Sequence, residues 1–519
     1  MTVVRGAVHR NSYRDSVELM GIAAQLEQLA DVRRAGLVMA TAANLGVLVE
    51  AGLSEAAAGD PGPNDLVVAV AASDGAAADA ALTRAATLLA AGAGSTGATV
   101  ETPAAQTLAD GLRELPDANL ALISTPGTYA TAESLKALKR GLNVFLFSDN
   151  VSVEDEVELK TLALERGLLV MGPDCGTAIV AGVPLGFANA VRRGPIGLAA
   201  ASGTGLQQVA SLIHRLGSGV SHALGTGGRD LDERVGGRTM LAAIAALMAD
   251  PSTGVVVLIS KPPAASVVAS ILDAVRGAQK PVVVNFLGGD AAAVRAVGAH
   301  PAATFEAAAA IAVALSRGES VAVPDPATDP LLAGAGHDAA ARLAPGQRAI
   351  RGLFSGGSLA GEAKLVIHSV LGPDRHDEIL DLGDDEYTVG RPHPMIDPRL
   401  RNEQIVATAG DPDVAVVLLD VVLGYGSHPD PADALAPAIA DAMALATSSG
   451  RHLLVVASVC GTDDDPQGLA RQERILAQTG VILESSNARA AALAALIARA
   501  AAERTSSGTI AALAPGAGD

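Results

Sequence analysis

The sequence predicts an α/β protein with parallel sheets, and three observations carry that prediction. Short β-branched runs alternate with Ala/Leu-rich amphipathic stretches, the pattern of βαβ units. Aromatic residues are only 2 % and tryptophan is absent, so the cores must be built from Ala, Val, Leu and Ile. Such cores suit buried parallel strands covered by Ala-rich helices. The 519 residues exceed what one hydrophobic core supports, which predicts about three domains.

In order along the chain, the first strand runs are GLVMA (36–40), LVVAVA (66–71), NLALIS (119–124), NVFLFS (143–148) and LLVMG (168–172). Helical patterns at 130–140 and 154–166 separate the later runs, and the Gly/Ala/Ser stretch 90–105 reads as a surface loop. A second unit opens with IGLAAA (196–201) and continues through GVSHALG (219–225), GVVVLIS (254–260) and PVVVNFL (281–287). Its first helix carries Leu206, Val209, Ile213 and Leu216 at the spacing of one buried face. Residues 321–348 are rich in Pro, Gly, Asp and Ala without a clear period and read as a linker. A third unit follows, with strands at 415–424, 452–461 and 480–486, and the last residues, 506–519, read as a flexible tail. IGLAAASGTGLQQVA in the second unit and RGLFSGGSLAGEAKL in the third look like diverged copies, which predicts a pseudo-symmetric pair.

A formal net charge of −19 repels nucleic acid and anionic membrane surfaces, so neither is expected as a partner. Two cysteines, Cys175 and Cys460, cannot make a disulfide framework and point to a reducing compartment. The polar N-terminus lacks a signal-peptide core and no apolar run reaches the roughly 18 residues of a membrane span. A soluble, cytoplasmic protein is expected.

Ser202-Gly203-Thr204-Gly205 ends a strand and begins a helix. Free N–H groups and the helix dipole make such a turn an anion site, and glycine lets an oxygen approach the backbone. The same residues equally suit an ordinary N-cap. Ser355-Gly356-Gly357-Ser358 carries the same pair of readings, and Gly424 to Gly426 after a strand is a candidate opposing turn. Gly225-Thr226-Gly227-Gly228-Arg229-Asp230 is a glycine loop whose Arg229 suits a carboxylate or acyl phosphate, or else a surface Arg–Asp pair. Cys175 has no histidine close in sequence and reads as a buried structural thiol. In the Pro/Gly-stiffened stretch 381–397, Arg391 and His393 stand among acidic residues. His393 is either an acid/base or a satisfied loop residue. No second His or Cys stands at metal-ligand spacing, so no metal is assigned. The run Asp463-Asp464-Asp465 reads as a solvated turn.

The order GPDCG (172–176), SGTG (202–205), GTGGRD (225–230) and VVVNFLGG (282–289) resembles the α subunit of succinyl-CoA synthetase. DVVLGYG (420–426) resembles the flavodoxin-like C-terminal domain of that enzyme's β subunit. The chain is most similar to the FdrA family, through YRDSVELM (13–20), PDANLALIS (116–124), FSDNVSVEDE (147–156), GLLVMGPDCGT (167–177), SKPPA (260–264) and DLGDDEYTVGRPHPMIDPRLRN (381–402). The resemblance implies a CoA-binding-like Rossmann domain (1–190), then two flavodoxin-like ligase domains (191–320 and 349–505) joined by the linker. It also implies a site where helix N-termini of the two ligase domains cradle a phosphoryl group.

Against succinyl-CoA synthetase, the Gly-rich CoA loop is replaced by MATAANLGVL, no ATP-grasp domain is expected, and the phosphohistidine loop after the NFLGG strand is absent. His300 comes too late to replace it, and Lys261 stands where a glutamate accompanies that histidine. The FdrA family is linked to oxamate carbamoyltransferase of allantoin breakdown, which converts oxalurate and phosphate to oxamate and carbamoyl phosphate. The resemblance thus implies a carbamoyltransferase component, with an acyl-CoA synthetase subunit or a non-catalytic acyl-phosphate-binding scaffold as alternatives. Lys261, Arg229 and His393 are the candidate catalytic residues. Ser202, Gly203, Thr204, Gly205, Ser355, Gly356, Gly357, Ser358, Gly424 and Gly426 would bind phosphate, and Gly227, Gly228, Asp230 and Arg391 the rest of a small anionic substrate. Phosphate or an acyl or carbamoyl phosphate is the expected ligand, with CoA under the alternative. Partner subunits, or a second copy in a homodimer, are expected.

Overall fold

The computed structural model describes the chain except residues 1, 13, 15, 54–59, 93–104, 321, 374–376, 389–391 and 514–519. It divides into two compact units, Met1–Gln106 with Asp385–Pro392, and Thr107–Asp384 with His393–Asp519.

The first unit contains β1 (Val3–His9), α1 (Ser16–Glu27), β2 (Val32–Met39), α2 (Ala42–Glu50), β3 (Leu66–Ala72) and α3 (Gly75–Gly92). Its sheet has the order β1-β3-β2, and β3 pairs antiparallel with both neighbours. This corrects the expected Rossmann domain over 1–190. The runs at 36–40 and 66–71 are strands, but they do not belong to a parallel sheet. Every residue of β3 is buried, and a continuous apolar run reads alike in either direction of pairing. Leu19, Leu26, Leu37, Val68, Val70 and Leu89 form the core. Most of the expected 90–105 loop, and Tyr13 and Asp15 of the 13–20 motif, lie outside the described residues.

The second unit opens with α4 (Leu108–Glu114), β4 (Leu120–Ile123), α5 (Gly127–Lys139), β5 (Asn143–Leu146), α6 (Val153–Glu165) and β6 (Val170–Met171), whose strands form a parallel sheet. A hairpin follows, β7 (Thr177–Val180) and β8 (Val183–Gly186). The first repeat contains β9 (Arg193–Ala201), α7 (Gly203–Arg215), β10 (Val220–Gly225), α8 (Arg238–Ala249) and β11 (Val255–Ser260). It continues with α9 (Ala265–Val275), β12 (Val282–Phe286), α10 (Ala291–Ala296), β13 (His300–Pro301) and α11 (Phe305–Ser316). After α12 (Pro330–Ala340), the second repeat contains β14 (Ala349–Phe354), α13 (Gly357–Leu371), β15 (Glu378–Asp381), α14 (Asp385–Thr388, counted with the first unit) and α15 (Arg399–Thr408). It ends with β16 (Val414–Val422), α16 (Pro431–Ser448), β17 (Leu454–Cys460), α17 (Leu469–Gln478), β18 (Ile482–Glu484) and α18 (Asn487–Leu513).

The strand orders are β13-β12-β11-β9-β10, extended by β7 and β8, and β15-β14-β16-β17-β18. In each repeat the first strand lies between the second and third, the doubly wound flavodoxin-like order. The order reverses beside β9 and β14, so the starts of α7 and α13 occupy the two switch points, where such folds bind ligands. The repeats share one core: Leu206, Val209 and Ile213 of α7 join Leu359, Ala363 and Ile367 of α13 and Leu493, Leu496 and Ile497 of α18.

Two further expectations are corrected. Inside the expected 321–348 linker, α12 is capped by Asp329 and starts with Pro330. Leu332, Ala339, Ala340 and Leu343 enter the shared core. Their helical spacing is hidden because the other residues on that face are glycine and alanine. The expected 506–519 tail is helical as far as Leu513, the end of α18.

Candidate functional site

The starts of α7 and α13 meet. Ser202, at the cap of α7, makes no side-chain cap hydrogen bond to its helix, and Gly356, at the cap of α13, has no side chain to make one. The Ser202 hydroxyl instead donates across the junction to Ser358 Oγ at 2.7 Å. A Cβ on Gly356 would lie 2.7 Å from both Oγ1 and Cγ2 of Thr204, so the helices approach this closely only with glycine there. The helix starts equate Gly203 with Gly357 and Thr204 with Ser358, which places one hydroxyl at the same position of each first turn.

Lys261 and Asp381 complete this junction. Lys261 is exposed directly after β11, and Asp381 ends β15. A Cβ on Gly357 would meet Asp381 Oδ2 at 2.0 Å and Lys261 Nζ at 3.0 Å, so ammonium and carboxylate converge on the first residue of α13. Burial pushes the Asp381 carboxyl up, and Lys261 and the N–H of Gly383 pull it down. Two helix starts, two hydroxyls and an ammonium can take an anionic group by backbone and charge-assisted hydrogen bonds.

Behind the junction stands Asp420, fully buried in β16. It accepts from Ser355 N at 2.8 Å, Gly356 N at 2.9 Å, the Ser355 hydroxyl at 3.1 Å and Arg401 Nη2 at 2.8 Å. Ser355 is therefore spent on positioning the turn. Arg401 also donates through Nε to Leu353 O at 2.9 Å. His393 Nδ1 accepts from Met395 N at 3.2 Å, which leaves the ring proton of the neutral form on Nε2. That Nε2 lies 2.6 Å from where a Cβ on Gly383 would sit, and burial drops the ring to about 4, so it is uncharged at neutral pH.

The other expected residues are placed elsewhere. Arg229 Nη2 donates to Val151 O at 2.7 Å and pairs with Glu156 Oε2 at 3.1 Å. Asp230 is fully buried, accepts from Lys160 Nζ at 2.7 Å, and holds the N–H groups of Thr239 and Met240 at the start of α8. Lys160 also donates to Glu156 at 2.7 Å. Gly227 and Gly228 back onto Pro173 and Asp174. This loop fastens α6 to the first repeat. Its partners Glu156 and Lys160 stand one helical turn apart on α6, a local pair that does not by itself point to this loop. Gly424 and Gly426 pack against Ala188 and Phe187, and the N–H of Gly424 is bound by Gln467 at 3.0 Å. Arg391 lies outside the described residues. Cys175 is buried, its thiol pushed up to about 12, as a structural thiol should be. Asp465, expected in a solvated turn, is instead buried and accepts from Ala190 N at 2.7 Å and Asn189 at 2.8 Å. Sequence reasoning missed Asp381, Asp420 and Arg401 as site residues. Asp381 and Arg401 stand in the distinctive 381–402 motif, and Asp420 is a lone acid in an apolar strand.

A family model described as CoA-ligase matches residues 353–497, and one described as AllF, heavy metal-associated domain, matches residues 1–104. The uncharacterised Escherichia coli (strain K12) protein YahF is 42% identical over 95% of this chain and 98% of its own length. The chain belongs to the YahF family. This YahF-family chain is also similar to succinate–CoA ligase α subunits. That of Trichomonas vaginalis mitochondria (subunit α-2) is 30% identical over 28% of this chain and 47% of its own. The Archaeoglobus fulgidus α 2 subunit is 28% identical over 31% and 55%. The chain thus spans about half the length of these two, and the family is succinyl-CoA synthetase-like. Among solved structures, the Methanothrix soehngenii ATP citrate lyase complex with citrate and coenzyme A shares 12% identity, 78% coverage of this chain, 85% of the other and a TM-score of 0.37. Among the described residues no helix is long and apolar enough to cross a membrane.

The heavy-metal description does not fit the residues present. Soft metal ions favour thiolate donors, and both cysteines lie outside residues 1–104. Met20 and Met39 offer thioethers there, but among the described residues no group of three or more His, Cys, Asp or Glu stands together to hold a metal ion. The loop after β1 is closed by Asp65, which accepts from Arg10 at 2.6 Å and from Asn11 N at 2.8 Å.

Proposed function

We propose that this chain is the phosphate-handling component of a carbamoyl-transferring enzyme that converts oxalurate and phosphate to oxamate and carbamoyl phosphate with partner subunits. The observation that carries the reading is the junction of the two helix starts, with Thr204 against Gly356 and Lys261 at its mouth. Ser202 to Gly205, Gly357 and Ser358 would hold the phosphate through N–H and hydroxyl groups, with the Gly356 N–H already given to Asp420, and Lys261 would neutralise one of its charges. A phosphate oxygen attacks the ureido carbonyl carbon, the carbon–nitrogen bond breaks, and the departing amide nitrogen keeps the electron pair and gains a proton. Fixed donors facing the developing oxyanion supply much of the acceleration. His393, neutral beside Gly383, is the candidate for handling protons.

Support also comes from where histidines stand. After β12, Gly288 and Gly289 lead directly into Asp290, the cap of α10, and His300 lies on the edge strand β13. Neither supplies a phosphohistidine loop at the junction. A second reading, an acyl-CoA ligase subunit with CoA as acyl acceptor, is favoured by the CoA-ligase match over 353–497.

The test is to purify the full chain with the products of neighbouring genes and follow carbamoyl phosphate release from oxalurate as a function of phosphate. Phosphate-dependent release, lost by about 10²-fold in Thr204→Val if this hydroxyl acts as an oxyanion donor, is the expected result. CoA- and ATP-dependent thioester formation without that release selects the ligase reading. Retention of full activity in both Thr204→Val and Lys261→Ala overturns the assigned site.

A further inference from the structure

We propose that Asp381 shares a proton with the anion held between the two helix starts, so that each dianion enters the cradle together with one proton. This rests on the phosphate-cradle part of the reading above, and not on the carbamoyl part.

Asp381 Oδ2 lies 2.0 Å from the point a Cβ on Gly357 would occupy, against the same helix start that would donate to a phosphate oxygen. Its other oxygen, Oδ1, accepts from Gly383 N at 3.0 Å, which fixes the carboxylate in that orientation. A phosphate bound at Gly357 and Ser358 therefore meets a carboxylate at hydrogen-bond range. Two facing anions cannot both stay fully ionised, whereas one proton between them turns repulsion into a charge-assisted O–H···O bond.

The charges around Asp381 fit this count. Lys261 brings one positive charge from the loop after β11. Asp420 of β16 is balanced by Arg401, Asp384 adds a negative charge from the same loop, and His393 beside Gly383 is neutral. Burial and the neighbouring acids work in the same direction, raising the affinity of Asp381 for a proton. Each helix start supplies about half a positive charge. Lys261 and the two helix starts then offset about two negative charges, the share of a dianion. Two carboxylates are left over: Asp384 is exposed to solvent, while Asp381 lies against the helix start and takes the proton. During carbamoyl transfer this is the proton the departing amide nitrogen needs: as the phosphate oxygen bonds to carbon and the carbon–nitrogen pair leaves with nitrogen, Asp381 passes the proton across.

Sulfate is the discriminating probe, because it is a dianion with no proton of its own to share at neutral pH. Calorimetric titration of the full-length protein with sulfate in two buffers of different ionisation enthalpy should show uptake of close to one proton. The affinity should fall about tenfold per pH unit where Asp381 is ionised. Asp381→Asn should bind sulfate with no proton uptake and a flat pH profile, and more tightly than wild type above neutral pH. Lys261→Met should bind more weakly at every pH while still taking up the proton. Sulfate binding by the wild type without proton uptake overturns the proposal, with no variant needed. So does failure to bind either sulfate or phosphate, or an unchanged pH slope in Asp381→Asn. Proton-linked sulfate binding by a protein that releases no carbamoyl phosphate with its partners would remove the carbamoyl reading and leave this inference intact.

Discussion

At the scale of single residues, two titrating groups, Glu362 buried and His393 half-buried, give opposite pH signatures. Glu362 in α13 accepts from Phe305 N at 2.6 Å and Asn487 Nδ2 at 2.8 Å, and burial pushes its carboxyl up to about 7. The folded state then binds more protons than the unfolded chain above the ordinary carboxylate value, so stability falls as pH rises from about 4.5 to about 7. His393, pushed down to about 4, does the reverse: the unfolded chain binds more protons, and stability falls as pH drops from about 6.5 to about 4. Urea unfolding across this range should show Glu362→Gln removing the first slope and His393→Gln the second. Asp420→Asn should cost about 3–5 kcal/mol in the same experiment, because Arg401 is then a buried charge without its counter-ion. The residue scale is also where the sequence was least legible. Ser202, Thr204 and Gly356 are recognisable from the small-residue turns they occupy. Arg229 and Asp230 advertise an open anion loop but are claimed by Glu156 and Lys160, some 70 residues away in the chain. Tertiary partners decide whether a charged loop residue is available, and no local pattern encodes them.

At the scale of elements, the decisive contact is helix start against helix start. Gly356→Ala would push a methyl group into Thr204 and should cost about 1–3 kcal/mol of stability. The cost should shrink markedly in a Thr204→Ala background, where the space is released; a double-mutant cycle by chemical denaturation measures this coupling. Equal costs in both backgrounds would mean that the helices do not depend on that approach. Both strand-to-helix turns were legible, because a β-branched run followed by Ser and Gly and then an apolar helix face has few other readings. The direction of β3 was not, since burial on both faces erases the alternation that distinguishes an antiparallel strand. α12 was missed because a face made of Gly and Ala carries little hydrophobic contrast, although Gly336 brings α12 directly against Leu496 of α18.

At the scale of the whole molecule, the two flavodoxin-like repeats have separate sheets but one core, with α18 buried against both. Amides of β11 and β16 should therefore exchange with solvent at one common free energy and be lost in one transition, as read by native-state hydrogen exchange. Two well-separated exchange energies would mean that the repeats are independent. That shared core has a further consequence. Both halves of the cradle are covalently part of one chain, so their encounter is intramolecular and carries no dependence on protein concentration. Dilution can strip away any associated subunit, yet it cannot dismantle the place where the anion would sit.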